Sequence, residues 1–235
     1  MRTGILADVH GNAVALEAVL RDGEKAGVER WMALGDIVGY GPEPERCLEQ
    51  LRRLGAASVM GNHEARTLGL PTGPFNALAD EAIAFTREAL SAQSRAQIEG
   101  FATQLHDDGV LYCHGSPNDR DEYLFLRIQL DEIVRAAPAP VVFFGHTHQQ
   151  LAFDGARWIR HAEEIPLEPG RRWLVNPGSV GQPRDGDPRA GFAILDTGRK
   201  RLQLRRVEYD VEEQVARVQR SGLPVYLGER LREGH

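Results

Sequence analysis

Thr3-Gly4-Ile5-Leu6-Ala7-Asp8-Val9-His10-Gly11-Asn12 opens with an apolar run that stops at Asp8, and from Asn12 the apolar positions change to helical spacing through Leu16, Val19 and Leu20 toward Gly23. The spacing predicts strand, loop, helix, with Asn12 as the N-cap and Gly27 at the stop. The unit recurs. Trp31–Leu34 reads as a second strand, followed by the loop Gly35–Gly41 and a helix opening near Pro44 that carries Cys47, Leu48, Leu51 and Leu54 on one face. A third strand, Ala57–Met60, runs into Gly61-Asn62-His63-Glu64. Strands alternating with helices of this length predict βαβ units and a mainly parallel sheet.

Beyond this core, residues 71–104 read as mostly helical, with Leu78, Ala82, Phe85 and Ala89 at near-helical spacing, and are expected to form an insertion beside the site. Strands resume at Val110–Cys113 and Val141–Phe144, separated by a helix around Leu130–Val134. Two hairpins follow: Leu151–Phe153 into Trp158-Ile159 through Asp154-Gly155, and Phe192–Leu195 into Leu202 and Leu204 near Gly198. A last helix runs from Val211 through Val218, and residues 222–235 read as a loosely held tail. The expected organisation is one α/β domain spanning residues 1–235.

Composition excludes several classes. Acidic residues outnumber basic ones 34 to 28, for a formal net charge of −6, which argues against a broad face for long nucleic acid. No apolar run approaches the roughly 20 residues needed to span a bilayer, and Met1-Arg2-Thr3 leads directly into a strand rather than a signal peptide. A cytoplasmic protein is expected, with no membrane partner. Cys47 and Cys113 form no C-x-x-C pair and read as reduced core residues. No G-x-x-x-x-G-K-[ST] loop is present to cradle a nucleotide.

The chemistry lies at the strand ends. Asp8 and His10, then Asp36, then Asn62 and His63, then His114, then His146 and His148 each follow a predicted strand, so five of the eight histidines fall in these segments. Loops at the carboxyl edges of α/β strands converge on one crevice. One aspartate or histidine alone would read as a cap or a core residue, but this recurrence reads as a ligand cluster. Asp, Asn and neutral His make a borderline-hard oxygen and nitrogen site for Mn²⁺, Fe²⁺, Zn²⁺ or Co²⁺, with Ni²⁺ also open. Two such ions roughly 3.5–4 Å apart would share a carboxylate, for which Asp36 is the candidate, and would bring a water toward hydroxide near neutral pH.

In order, Asp8-Val9-His10-Gly11-Asn12, Gly35-Asp36, Gly61-Asn62-His63-Glu64, His114-Gly115 and Gly145-His146-Thr147-His148 resemble the motifs of the calcineurin-like metallophosphoesterases. The resemblance covers about residues 1–180. It implies a four-layer αββα sandwich of two mixed β-sheets flanked by helices, a dinuclear site at the sheet edges, and hydrolysis of phosphodiesters or phosphomonoesters by hydroxide held on the ions. Carried over by position, Asp8, His10, Asp36 and His148 would hold one ion, and Asp36, Asn62, His114 and His146 the other, with Mn²⁺ the first expectation. His63 matches the family's histidine that stabilises the phosphoryl group or protonates the leaving oxygen. Glu64 would orient His63, or stand as an exposed carboxylate at the helix start.

Asn62, Asn12 and Arg184 are the expected contacts to a small phosphoester substrate. The Gly-Asn-His-Glu motif is similar to that of serine/threonine protein phosphatases and dinucleoside tetraphosphatases, but Gly35-Asp36-Ile37-Val38-Gly39-Tyr40-Gly41-Pro42 lacks the arginine such relatives carry there. Arg66, Arg120 and Arg184 are the candidates to replace it. Asn176-Pro177-Gly178-Ser179 with Gly181-Gln182-Pro183-Arg184 resembles a segment of the bacterial phosphodiesterase-like branch, and would either line the site or form a structural turn. The alternatives are a protein phosphatase or dinucleoside polyphosphatase, and, against the full ligand set, a non-catalytic metal-binding scaffold.

Overall fold

A computed structural model describes residues 1–160 and 164–235; His161, which the sequence places outside the ligand pattern, lies outside the described residues. Two mixed six-stranded sheets stack face to face. The first contains β1 (Arg2–Leu6), β2 (Arg30–Ala33), β3 (Ala57–Ser58), β9 (Ile165–Pro166), β11 (Ala190–Asp196) and β12 (Arg201–Val207), in the order β3-β2-β1-β11-β12-β9. The second contains β4 (Leu105–Asp107), β5 (Val110–Tyr112), β6 (Val141–Phe143), β7 (Leu151–Phe153), β8 (Trp158–Ile159) and β10 (Trp173–Asn176), in the order β4-β5-β6-β10-β7-β8. Parallel pairing joins β1 to β2 and β2 to β3 in one sheet, and β5 to β6 and β6 to β10 in the other. These parallel strands carry the ligand-type residues at their carboxyl ends.

Residue alternation sets the layers. Successive side chains of a strand point to opposite faces, and here both faces of both sheets are apolar. Ile5, Ala7, Ala193 and Leu195 meet Tyr112, Phe143, Trp173 and Val175 in the core between the sheets. Leu6, Phe192 and Ile194 face outward onto Leu16 and Val19 of α1 (Ala13–Lys25) and Leu48 and Leu51 of α2 (Pro44–Arg53). Leu111, Val142 and Phe144 face the other way, onto Leu130 and Ile133 of α6 (Arg127–Ala136). Each fully buried Leu or Phe contributes about 1.5–3 kcal/mol, so slipping one strand by a single residue would exchange two packed faces at once. The αββα sandwich and both hairpins are present as expected.

α1 starts as its sequence predicts, the Asn12 side chain accepting from the Ala15 amide at 3.0 Å. α3 (Asn62–Leu68) follows β3 directly. The 71–104 stretch folds mainly into α4 (Ala77–Ala89) and α5 (Ala92–Glu99), and β4 begins at Leu105, one residue beyond the helical reading. No helix among the described residues is long and apolar enough to cross a membrane.

The terminal segment departs from expectation. Residues 222–235 are not a loose tail: after α7 (Val211–Ser221) they form α8 (Tyr226–Glu229) and a 3-10 turn (Arg230–Arg232), and Leu223, Leu227 and Leu231 are all buried. The four-residue spacing of these leucines is a helical stripe that the preceding Gly222 and Pro224 obscure. Leu223 and Leu227 pack with α4 and Tyr40, and the Gly186 amide donates to the Gly234 carbonyl at 3.1 Å.

Candidate metal centre

Asp8, His10, Asp36, Asn62, His63, His114, His146 and His148 are all buried, and three overlapping groups of them place ligand-type atoms within 4.8 Å of one another: Asp8 with His10 and His148, His10 with Asp36 and His63, and Asp36 with His114 and His146. The Asp36 Oδ2 atom lies at the middle, 3.3 Å from His114 Nε2, 3.7 Å from His10 Nε2 and 4.0 Å from His63 Nε2. Asp8 Oδ1 lies 3.5 Å from His148 Nε2.

The backbone is bent to bring these side chains inward. Asp8, His10, Asp36, His146 and His148 all have φ between 48 and 65°, the left-handed region that costs a non-glycine residue of order 1 kcal/mol or more. Strain concentrated on the ligand-type residues marks a site rather than ordinary turns.

Hydrogen bonds fix which nitrogen of each imidazole faces the cluster. His10 Nδ1 lies 3.1 Å from the Val38 carbonyl, His114 Nδ1 2.7 Å from that of Leu34, and His148 Nδ1 2.6 Å from that of Gln182. A carbonyl only accepts, so each Nδ1 carries the proton and each Nε2 turns inward, the arrangement that orients metal-binding histidines. His146 is reversed: its Nε2 meets the Asp121 carbonyl at 3.2 Å, leaving the lone pair on Nδ1. The cluster brings His10 Nε2 and His148 Nε2 within 3.2 Å of each other. The two lone pairs converge on one point, an arrangement that a shared cation would satisfy, and burial lowers the pKa of both imidazoles. The donor set of carboxylate, amide oxygen and imidazole nitrogen fits divalent ions.

The remaining charges follow from burial and Asp36. Burial opposes the Asp36 charge, but His114 and His63 hold its carboxyl well below the usual range. Burial likewise opposes the His114 imidazolium, which the Asp36 charge and hydrogen bond lift to about 9. Burial raises Asp8 to about 7, lowers His63 to about 4, and, with His114 beside it, lowers His146 to about 3. His63 Nδ1 is buried with no hydrogen-bond partner among the described residues, and its ring packs against Gly39, where φ is +84° and a Cβ would collide with it. Only glycine satisfies both demands at that position.

Glu64 does neither of the things expected of it. Fully buried, it accepts from the amides of Asp36 and Gly61 on Oε2, at 2.8 and 2.9 Å, and of Ile37 and Val38 on Oε1, at 2.7 and 3.1 Å. Burial and then the Asp36 charge push its carboxyl up to about 7, yet every neighbour is an N–H donor, and only the carboxylate can accept from all four. Glu64 thus holds the Asp36 loop rather than His63, because α3 turns its first carboxylate back under the preceding strand ends.

Asn12 has structural partners. Besides capping α1, it donates to the Gly181 carbonyl at 3.0 Å and to the Tyr209 hydroxyl at 3.4 Å. The Asn176–Ser179 segment braces the loops from behind: Asn176 donates to the Gly145 carbonyl at 2.9 Å, and the Ser179 hydroxyl donates to that of Asp8 at 2.7 Å. Arg66 pairs with Asp80, and Arg120 with Asp121 and the Pro71 carbonyl. The Arg184 guanidinium donates to the neutral Gln182 amide oxygen, at 2.8 and 3.3 Å, and lies 5.7 Å over the Tyr40 ring, with no carboxylate partner among the described residues.

A cleft of about 260 Å³ opens onto the cluster, lined by Asp36, Asn62, His63, His146, His148 and Arg184 below, with Tyr40, Phe75 and Tyr123 among its walls. Sequence reasoning missed these three aromatics as cleft residues: Phe75 and Tyr123 sit in loops with no motif around them, and Tyr40 reads only as part of the loop after Asp36.

Residues 1–200 match the calcineurin-like phosphoesterase superfamily domain. The chain is 33% identical over 235 residues to an uncharacterized protein of Methanocaldococcus jannaschii, covering 97% of this chain and 96% of that one. It superposes on the crystal structure of a metallophosphoesterase from Sphaerobacter thermophilus with a TM-score of 0.90 at 37% identity, covering 100% of this chain and 99% of that one. A hypothetical protein from Pyrococcus horikoshii shares the fold, with a TM-score of 0.85 at 21% identity over 100% of this chain and 98% of that one. With its strand-end ligand cluster and these matches over nearly its whole length, the chain belongs to the calcineurin-like phosphoesterase superfamily and is a metal-dependent phosphoric ester hydrolase.

Proposed function

We propose that the chain hydrolyses small phosphodiesters or phosphomonoesters at a dinuclear centre, with Asp8, His10, Asp36 and His148 holding one ion and Asp36, Asn62, His114 and His146 the other. The observation that carries this reading is the position of Asp36 Oδ2 between His10 and His114, 3.7 and 3.3 Å from their inward Nε2 atoms, which suits it to serve as the shared ligand. When bound, divalent ions neutralise phosphoryl charge and lower the pKa of a water to near neutrality; Mn²⁺ is the first choice for this mixed oxygen and nitrogen set.

The chain's own residues supply the rest. Arg184, the guanidinium at the cleft without a carboxylate partner among the described residues, grips the phosphoryl oxygens. His63 is neutral at pH 7, burial having lowered it to about 4, so it acts first as an N–H donor from Nε2 to a phosphoryl oxygen. Incoming phosphate charge then raises its pKa and favours proton transfer toward the leaving oxygen. The acidic net charge suits a small substrate rather than long nucleic acid, and two buried free cysteines suit a reducing cytoplasm.

Protein loaded with Mn²⁺ is expected to release p-nitrophenol from phosphate mono- or diesters. His63→Ala should lower kcat about 100-fold, the scale for losing one preorganised donor, with bound metal unchanged. Phosphopeptide and dinucleoside tetraphosphate turnover, compared with that of diesters, separates the protein-phosphatase and dinucleoside-polyphosphatase alternatives. A metal-loaded protein inactive on the whole panel would refute hydrolysis of this substrate class.

A further inference from the structure

Above the cluster, the Tyr123 ring lies flat against His146, with centroids 3.8 Å apart and planes 24° apart, and the Phe125 ring continues the column at 5.3 Å and 8°. Both residues come from the segment between β5 and α6, two positions apart, so an extended backbone puts them on one side. The column begins at a cleft-lining histidine and ends in the open: Tyr123 is 43% and Phe125 50% exposed. Packing alone would bury these rings rather than leave such area in water beside a polar site. Across the same cleft, Phe75 stands 4.9 Å from His63, and Arg184 lies beside the Tyr123 hydroxyl.

Resting on the phosphoesterase reading, we infer that Tyr123 and Phe125 form a stacking platform for an aromatic base carried on the leaving alcohol, so that the preferred substrates are nucleotide-type phosphoesters rather than esters of simple aliphatic alcohols. A phosphoryl group between Arg184 and the ligand cluster directs the rest of the ester out of the cleft, past the column. A nucleobase offers a π-face to that column, as every base does, so the platform selects for a base without discriminating among bases. A glycerol or serine side chain offers none.

Equilibrium binding measures this without turnover. With Mn²⁺ present, wild-type protein should bind adenosine 5′-monophosphate about 10-fold more tightly than glycerol 3-phosphate, a typical stacking preference. Phe125→Ala should bring that ratio close to one, and Phe125→Trp should restore it. Ile128→Ala, which alters a neighbouring exposed apolar residue, should keep the wild-type ratio, since general surface apolarity is not the cause. Equal wild-type affinities, or an unchanged ratio in Phe125→Ala, would overturn the platform and leave the phosphoesterase reading standing. Failure of either phosphate to bind the metal-loaded protein would overturn both.

Discussion

Replacing Asp36 by Asn is expected to lower phosphoester turnover by about 1000-fold or more, the upper scale for removing one preorganised charge from a reacting centre, and to reduce bound metal at the same time. The fold should survive. The Asp36 Oδ1 atom accepts the His63 amide at 2.9 Å, which an Asn oxygen can still do. What is lost is Oδ2, the oxygen that faces His10, His63 and His114. An amide nitrogen there carries no charge and turns its own protons toward the ligand cluster. Urea denaturation should show wild-type cooperativity, and metal analysis a deficit. Full turnover in Asp36→Asn would mean that the shared-ligand assignment is wrong.

Glu64→Ala should be the most damaging substitution for stability outside the hydrophobic core. Its carboxylate is the acceptor for four backbone amides, those of Asp36, Ile37, Val38 and Gly61. Each buried donor left without a partner costs about 1–3 kcal/mol, so the loss should exceed about 4 kcal/mol, against a total stability of about 5–15 kcal/mol for a typical domain. Glu64→Gln is milder, about 2–3 kcal/mol, because one oxygen remains while the new NH₂ faces two donors. Chemical denaturation of both variants reads the effect directly. A change under about 1 kcal/mol in Glu64→Ala would show that these amides find other acceptors.

Much of this was legible in the chain because each part of the pattern has a local cause. Asn12 reads as a cap from its own side chain, and Ile5, Ala7, Phe192 and Ile194 announce two apolar faces by simple alternation. The ligand-type residues stand out since each follows a strand, and parallel strands deliver their carboxyl ends to one edge. What escaped depends on contacts between segments distant in sequence. Nothing beside Glu64 tells that three of its four donors lie 26–28 residues earlier. Nothing beside Asn12 tells that its amide meets Gly181 and Tyr209, far along the chain. The segment carrying Leu223 and Leu227 is held down because α4 and Tyr40 give these leucines something to cover, and Tyr123 becomes a wall of the cleft only when β6 brings His146 beneath it.

Metal stoichiometry tests the central claim most directly. After saturation with Mn²⁺ and removal of the unbound ion, the wild-type protein should retain two equivalents, and His146→Ala, which removes a ligand of only one proposed ion, should retain about one. Fewer than one equivalent on the wild-type protein, or two undiminished equivalents in both His146→Ala and Asp36→Asn, would contradict a pair of cations sharing the Asp36 carboxylate.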